Sequence, residues 1–331
     1  HFDILQLHGF EKLSASRQED WIIFLTSWAR DAHTIANTGR VPVAICIITS
    51  AESILPCVPE SDLYLAIHWW WSFPSALETH LLCRLSNTTN DWNAAAQWRE
   101  ELLPTIVGND ISLIEYLWDK AHLDVEILMT NLCCFANERN WDRQTLKSWG
   151  VEEFIVNPNH SLKSLTTSPP KKWQELWAHG AVSWTPEYGL ELHISALAIL
   201  GRKNEIIHRL WRGQSRLLLP LIDQVRLTLC DYLTKIYGVD WPVRWERPAS
   251  DEEYELVSKD PLACQWGYLD WMLKNCTYLR TERQFIHVAS LGRSIRNEIA
   301  HYRPVAFGDF ENFWFAARRL QEQVSSQGVN V

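Results

Sequence analysis

The sequence predicts a mainly α-helical protein with a small α/β region near its N-terminus and a helical bundle at its C-terminal end. Three observations support this fold class. Apolar residues recur at helical spacing over most of the 331 residues. Two short apolar runs flank one helical segment near the start, and four helical segments follow one another after Gly201. We therefore expect an α/β region at 1–87, a mainly helical region at 88–202 and an all-α domain at 203–331.

The first region alternates strand and helix patterns. Ile4–Leu7 is a short apolar run that ends at a glycine, and Val43–Thr49 is a second run; both are typical of buried strands. Between them, residues from Arg17 to Ala36 place apolar side chains on one helix face. Asp62–Ala66 is a third, shorter strand candidate, and a helix is expected from Ser75 onward. A strand–helix–strand order predicts a parallel sheet.

The middle region contains several short helical patterns separated by a polar loop. The predicted helices are 111–118, 123–136, 143–149 and 173–182. The loop covers 157–172 and is rich in Ser, Thr, Asn and Pro. Within this region Glu187, Glu191 and His193 lie close in sequence. A helix would align the carboxylates of Glu187 and Glu191, but Gly189 between them disfavours a helix. We therefore expect these residues on a surface hairpin or helix start rather than in a metal site.

The C-terminal domain is predicted to hold four longer helices. The first runs from Ile207 to Ile236, where Gly238 is a suitable C-cap and Pro220 would kink or divide the helix. The other three helices are expected at 264–274 and 283–302 and, from its apolar stripe, at 307–320. Pro304 stops the third of these helices, since the residue before a proline resists helical geometry.

Charge and cysteine content restrict the class of protein. The net charge is −9, and residues 1–202 alone carry −10, which argues against a chain covered in nucleic acid, so RNA could bind only at a local basic patch. That patch is predicted at Arg280, Arg283, Arg293, Arg296 and Arg303. The eight cysteines form no CxxC pair, which argues against structural zinc and disulfides and favours a reducing cytoplasm. No apolar stretch is long enough for a membrane helix, and no metal or cofactor is expected.

One constellation in the C-terminal domain suits chemistry on RNA. Arg296 and Asn297 are followed by His301 near the end of an amphipathic helix. Asn297 and His301 are four residues apart, so the amide is expected to orient the imidazole. An imidazole can move a proton near neutral pH, and a guanidinium can stabilise charge on phosphate oxygens. The alternative is structural, with a helix-capping arginine and a buried, hydrogen-bonded histidine.

The C-terminal part of the chain resembles a HEPN domain, an all-α four-helix bundle. The resemblance lies in the stretch from Arg296 to Tyr302, which is similar to the family's motif, and in the segments 211–217 and 237–241, which are similar to its long first helix and the exit from that helix. It implies a metal-independent endoribonuclease in which Arg296, Asn297 and His301 are catalytic. Arg and His residues of two subunits commonly meet in one RNA-cutting cleft in that family.

We expect Arg293, Arg303 and Tyr302 to contact the RNA substrate. Some HEPN toxins place a tyrosine two residues after the motif histidine; here that position holds Arg303, and Tyr302 follows the histidine directly. The family also contains branches that only bind or dimerise, so a non-catalytic HEPN interaction module remains open.

The N-terminal segment Ile4–Glu11 resembles the Walker B strand of STAND or AAA+ type NTPases. His8 stands where those proteins have an acidic residue, so only Glu11 remains of a degenerate site. No G-x-x-x-x-G-K-[ST] sequence is present, and a P-loop upstream of His1 is left open. Together these resemblances predict a cytoplasmic ribonuclease effector of a bacterial defence or toxin-type system that cuts tRNA or mRNA. It would act as a homodimer or with a related defence-system subunit. The alternative is a regulatory subunit of an NTPase-type defence complex.

Overall fold

The computed structural model describes residues 3–50, 65–68, 76–86, 93–120, 123–156, 173–185, 189–279 and 283–326. The protein is mainly helical, as the sequence predicts. It divides into two compact units. The first contains 1–75 and 136–200, and the second contains 76–135 and 201–331. The division into regions 1–87, 88–202 and 203–331 stays a prediction.

In the first unit, two short strands pair in parallel. β1 (Ile4–Leu7) pairs with β2 (Ala44–Ile47) in the register Ile4↔Ala44 to Leu7↔Ile47, and helix α1 (Ala15–Asn37) connects them. The predicted parallel strand–helix–strand order is therefore confirmed. The prediction that these strands are buried is wrong, since Ile4 is 68% and Leu5 50% exposed. An apolar strand is buried only where neighbouring strands or helices cover it. Within the described residues this sheet has only two strands, which leaves these side chains exposed. The candidate strand 62–66 falls largely outside the described residues.

The rest of the first unit consists of short helices and a hairpin. The helices are α6 (Arg143–Ser148), α7 (Val151–Val156), α8 (Gln174–Ala178) and α9 (Ile194–Ile199), and strands β3 (Val182–Thr185) and β4 (Gly189–Leu192) pair antiparallel. Of the two structures expected around Gly189, a surface hairpin or a helix start, the antiparallel strand pairing is present, but Val182 and Leu192 within it are buried. The predicted helix 173–182 is too long, because Gly180 adopts a left-handed conformation (φ 71°) after the helix and Val182 begins a strand.

The second unit is entirely helical where the structure describes it. Its helices are α2 (Ala76–Ser86), α3 (Ala94–Val107), α4 (Ile111–Trp118), α10 (Lys203–Tyr237), α11 (Trp241–Arg244), α12 (Asp251–Lys259), α13 (Trp266–Asn275), α14 (Arg283–Ala300) and α15 (Phe307–Ser326). Helix α5 (Val125–Glu138) crosses the boundary between the two units. All four predicted C-terminal helices are present.

Helix α10 is continuous over 35 residues and ends before Gly238. The prediction of Gly238 as its C-cap is confirmed, whereas the prediction that Pro220 could divide it is wrong. Pro220 and Leu219 both lie on the exposed side of α10. A carbonyl that loses its helical partner there can bind water instead, so the proline is tolerated.

The core of the second unit is formed by α3, α10, α13, α14 and α15, and α10 packs most extensively against α3. Helix α14 also packs against α13 and α15, and α3 packs against both α10 and α15. Trp98 of α3 stacks on Phe310 of α15 with ring centroids 4.8 Å apart, and both side chains are almost fully buried. Such an aromatic pair adds roughly 0.5–1.5 kcal/mol beyond the area that it buries. The bundle thus includes a fifth helix, α3, from the part of the chain that precedes Gly201.

Candidate active site

The candidate site lies at the C-terminal end of α14. The buried side of this helix carries Ile295 (2% exposed) and Ile299 (3% exposed), which face the core. Arg296 and His301 are exposed and Asn297 is half-buried. The predicted separation of an apolar stripe from a polar motif face is therefore confirmed. His301 is not a buried core histidine, and its exposure leaves the imidazole accessible to a ligand.

The motif helix ends in a Schellman turn. The Arg303 N–H donates to the Glu298 carbonyl (2.9 Å) and the Tyr302 N–H donates to the Ile299 carbonyl (3.1 Å). Tyr302 occupies the left-handed position of this turn (φ 57°), where glycine is the usual residue. Pro304 follows and cannot continue the helix. His301 is consequently the last residue before the chain reverses, and its position depends on this turn.

Two side chains of α10 hold the turn in place. Trp211 donates its indole N–H to the Ile299 carbonyl (2.9 Å), and its ring packs against that of Tyr302 with centroids 4.6 Å apart. Gln214 is fully buried and pairs with both backbone groups of Val305. Its amide donates to the Val305 carbonyl and its oxygen accepts from the Val305 N–H, each at 2.8 Å. The connection from α14 to α15 is thereby fixed onto α10.

Within the motif, Asn297 contacts Arg296 rather than His301. The Arg296 Nη1 donates to the Asn297 Oδ1 at 3.4 Å, near the upper limit for a hydrogen bond. Among the hydrogen bonds of the described residues, none joins the side chains of Asn297 and His301, so the expected orienting contact is not formed in this single chain. The guanidinium of Arg296 retains donors for a phosphate, since an arginine carries five N–H groups.

The flanking arginines are held by carboxylates. Arg303 forms two hydrogen bonds to Glu298, at 2.6 and 2.8 Å, and this contact raises the pKa of the guanidinium. Arg293 donates to Asp270 of α13 at 3.0 Å, while its own side chain stays 49% exposed. The structure thus places Arg293, Arg303 and the 66%-exposed Tyr302 around the motif. An exposed arginine fixed by a carboxylate keeps N–H donors for a second anion.

Asp270, the partner of Arg293, is buried and binds three side chains. Its carboxylate is 1% exposed and accepts from Lys274, Ser290 and Arg293. Burial alone would raise the pKa of Asp270, but the hydrogen bonds from these three side chains outweigh burial and lower it. Asp270 therefore stays ionised and positions Arg293 from the neighbouring helix.

The other predicted constellations do not form a site with this one. His8 and Glu11 follow β1 and are both exposed; Gly9 between them is left-handed (φ 79°). His193 is buried and accepts from the Ser195 N–H, which makes it the N-cap of α9. Glu187 lies outside the described residues. Where the structure describes the chain, no three His, Cys, Asp or Glu side chains cluster as metal ligands would.

Comparison of the chain with protein-family models, curated proteins and solved structures finds no match to any of them. In the described ranges, no helix combines the length and the apolar character that crossing a bilayer needs.

Sequence reasoning missed the residues that support the motif. Trp211 and Gln214 contact positions 88 and 91 residues away, and Asp270 contacts Arg293 across 23 residues. Spacing along one helix cannot indicate such pairs. One signal was Gln214 itself, a glutamine on a mainly apolar face of α10, since a fully buried amide needs hydrogen-bond partners.

Proposed function

We propose that this protein is a metal-independent endoribonuclease of the HEPN type, with Arg296 and His301 as its catalytic residues and Asn297 as a positioning residue. The observation that carries the proposal is the joint exposure of Arg296 and His301 at one fixed helix end. This exposure argues against a buried, hydrogen-bonded core histidine and leaves both side chains accessible to a phosphate. The arrangement of α10, α13, α14 and α15 also suits the four-helix bundle that the HEPN resemblance implies.

The proposed reaction is transfer of the RNA phosphate to the neighbouring 2′-oxygen. The bond from the 2′-oxygen to phosphorus forms and the bond to the 5′-oxygen breaks, leaving a 2′,3′-cyclic phosphate and a 5′-hydroxyl. His301 would take the 2′-hydroxyl proton or protonate the leaving 5′-oxygen. Arg296 would stabilise the negative charge on the non-bridging oxygens. The electron pairs stay within the phosphodiester, so the step needs no redox partner.

One copy of the motif provides one imidazole, His301, whereas this reaction uses both a base and an acid. A two-fold dimer that joins two α14 ends would supply two copies of His301 and Arg296 to one cleft. We therefore include a homodimer, or pairing with a related defence-system subunit, in the proposal. In keeping with the sequence resemblances, the RNA substrate would be tRNA or mRNA. The protein would act in a cytoplasmic bacterial defence or toxin-type system. Its N-terminal α/β part would be a degenerate NTPase-like region.

The test is cleavage of tRNA and mRNA by the purified protein in the presence of EDTA. We expect cleavage that EDTA does not inhibit and products that end in 2′,3′-cyclic phosphate. His301→Ala and Arg296→Ala should each slow cleavage by about 10²–10⁴-fold. Because both side chains are exposed, the melting temperature should change little.

Matched controls are available on the same bundle. His287 is an exposed histidine of α14, and Arg319 is an exposed arginine of α15; His287→Ala and Arg319→Ala should leave the cleavage rate unchanged. Equal rates for His301→Ala and the parent protein, or no cleavage by the parent, would refute the catalytic proposal. In the second case the non-catalytic HEPN interaction module becomes the better explanation.

The dimer is tested separately by light scattering at micromolar concentration. We expect twice the monomer mass, and mixing His301→Ala with Arg296→Ala protein should restore part of the lost activity if both subunits build one cleft. A purely monomeric protein that still cuts RNA would contradict the shared cleft but not the catalytic roles.

A further inference from the structure

A cavity of about 560 Å³ opens beside the motif helix in the second unit. Its walls include Arg247, Glu253, Gln265, Tyr268, Trp271 and Arg293. Pockets that bind small molecules commonly have volumes of about 300–1,000 Å³. The walls combine aromatic rings, two cations, a carboxylate and an amide, and such groups can contact the base and the phosphate of a nucleotide. Arg293 joins this cavity to the candidate active site, because it lies three residues before Arg296 on α14.

The aromatic wall is rigid and accessible. Tyr268 is 8% exposed, and its hydroxyl lies within hydrogen-bond distance of the carbonyl oxygens of Pro242 (2.8 Å) and Glu246 (3.0 Å). Trp271 follows one turn later on α13; its ring lies nearly parallel to that of Tyr268 (11°) and is 41% exposed. An exposed indole backed by a fixed ring is a suitable platform for stacking a base.

The two cations are oriented by other side chains and keep free donors. Arg293 contacts Asp270, as described above. Arg247 donates to Asp251 at 2.6 Å and lies over the ring of Tyr254 at 4.6 Å, yet its side chain is 65% exposed. In these hydrogen bonds Arg247 donates from Nη2 and Arg293 from Nη1, and a guanidinium has five N–H groups, so each side chain has further donors for an anion. Guanidinium groups held in this way suit phosphate oxygens.

The polar wall can distinguish one base from another. Glu253 is half-buried, and burial raises the pKa of its carboxyl group. A carboxylate at this position accepts hydrogen bonds from an amino group of a base, and a protonated one can also donate. Gln265 offers both a donor and an acceptor. These two side chains give the cavity the means to read the edge of a base that stacks on Trp271.

We propose that this cavity is a nucleotide-binding subsite that holds one base of single-stranded RNA next to the cleavage motif. The inference rests on the proposed function and adds a substrate class to it. Arg293 and His301 are eight residues apart, which corresponds to about 12 Å along a helix axis. A strand anchored in the cavity would therefore run along α14 toward the motif, with Arg293 and Arg296 contacting successive phosphates.

The experiment measures binding of a short fluorescent single-stranded RNA by anisotropy, in the His301→Ala protein so that no cleavage interferes. Trp271→Ala should weaken binding by about 5- to 150-fold, as loss of one base stack does. Phe315→Ala removes an aromatic side chain of similar exposure (49%) from α15 and should leave binding unchanged. Arg247→Ala removes one phosphate contact at a largely exposed position, so binding should weaken and depend less steeply on salt. Glu253→Gln should change the order of affinity among the four homopolymeric RNAs.

The outcomes separate this inference from the proposed function. RNA binding that Trp271→Ala and Arg247→Ala do not change overturns the subsite, even where the parent protein cuts RNA. Binding that both variants weaken, in a parent protein that does not cut, supports the subsite and refutes the nuclease. A parent protein that neither binds nor cuts RNA refutes both. Loss of folding in Trp271→Ala leaves Arg247→Ala as the deciding variant.

Discussion

Gly292 offers the sharpest test of how the motif helix is positioned. It lies in the buried face of α14, one turn before Arg296, and faces Trp266 of α13. A Cβ atom at this position would come within 2.6–2.8 Å of three carbon atoms of the Trp266 ring. The close approach of α13 and α14 therefore depends on the absence of a side chain. We expect Gly292→Ala to destabilise the protein, although alanine is the better helix former.

The expected magnitude follows from two opposing effects. Carbon atoms in contact are normally about 3.5–4.0 Å apart, so the ring and the new methyl group must separate by roughly 1 Å. Trp266 is 5% exposed and has little room to move. Such overpacking typically costs about 1–3 kcal/mol, whereas replacing glycine by alanine within a helix contributes roughly 0.5–1 kcal/mol. The free energy of unfolding should fall by about 0.5–2 kcal/mol.

The assay is urea unfolding followed by circular dichroism, with Gly308→Ala as the matched control. A Cβ atom at Gly308, within α15, would meet nothing within 4 Å. This control should therefore be stabilised by up to about 1 kcal/mol. The two glycine-to-alanine changes should move the transition in opposite directions.

A second background identifies the cause. The Trp266→Leu protein lacks the indole ring, so Gly292→Ala should lower its free energy of unfolding much less than in the parent protein. The difference between the two effects measures the coupling between positions 292 and 266. A Gly292→Ala protein as stable as the parent, or an equal cost in both backgrounds, would refute the packing argument.

Three further predictions follow from the buried polar groups and the N-terminal region. Gln214→Ala should lower the free energy of unfolding by roughly 2–4 kcal/mol, because both backbone groups of Val305 lose their partner. Gln321→Ala, at an exposed position, is the control. Equal urea midpoints for the Gln214→Ala and Gln321→Ala proteins would contradict this reasoning. Asp270→Asn should destabilise the protein at neutral pH. The pKa of Asp270 is lowered in the folded state, so the ionised carboxylate stabilises the fold. This stabilisation is present above the ordinary pKa of an aspartate and is lost as the pH falls through the lowered value. The parent and the Asp270→Asn protein should therefore become equally stable in acid. A difference that persists unchanged at about pH 2 would refute this linkage. Finally, the 331-residue chain should not hydrolyse ATP; phosphate release that Glu11→Gln abolishes would show otherwise.

The sequence by itself determined much of the local structure of this protein, although it did not predict α3 and made the helix at Gln174–Ala178 too long. The spacing of apolar residues predicted the helical class, all four C-terminal helices, and the parallel order of the two N-terminal strands. It also predicted that the motif helix is amphipathic, but it left open whether His301 is exposed or buried. These features depend on residues within a few turns of one another, so the period of a helix or strand is sufficient to predict them.

Only the tertiary structure decided which segments meet. Helix α3 packs against α10 and α15, and Gln214 pairs with Val305, although neither contact has a counterpart in the spacing of either segment. The apolar pattern of Ile4 and Leu5 predicted burial, but both side chains are exposed. Such a pattern leads to burial only if other layers of the structure cover the sheet. The same limit applies to the cavity beside α14. Its walls come from the segment before α12, from α12 itself, from the residue before α13, and from α13 and α14. Their convergence is set by side-chain packing between helices, which no single periodicity encodes.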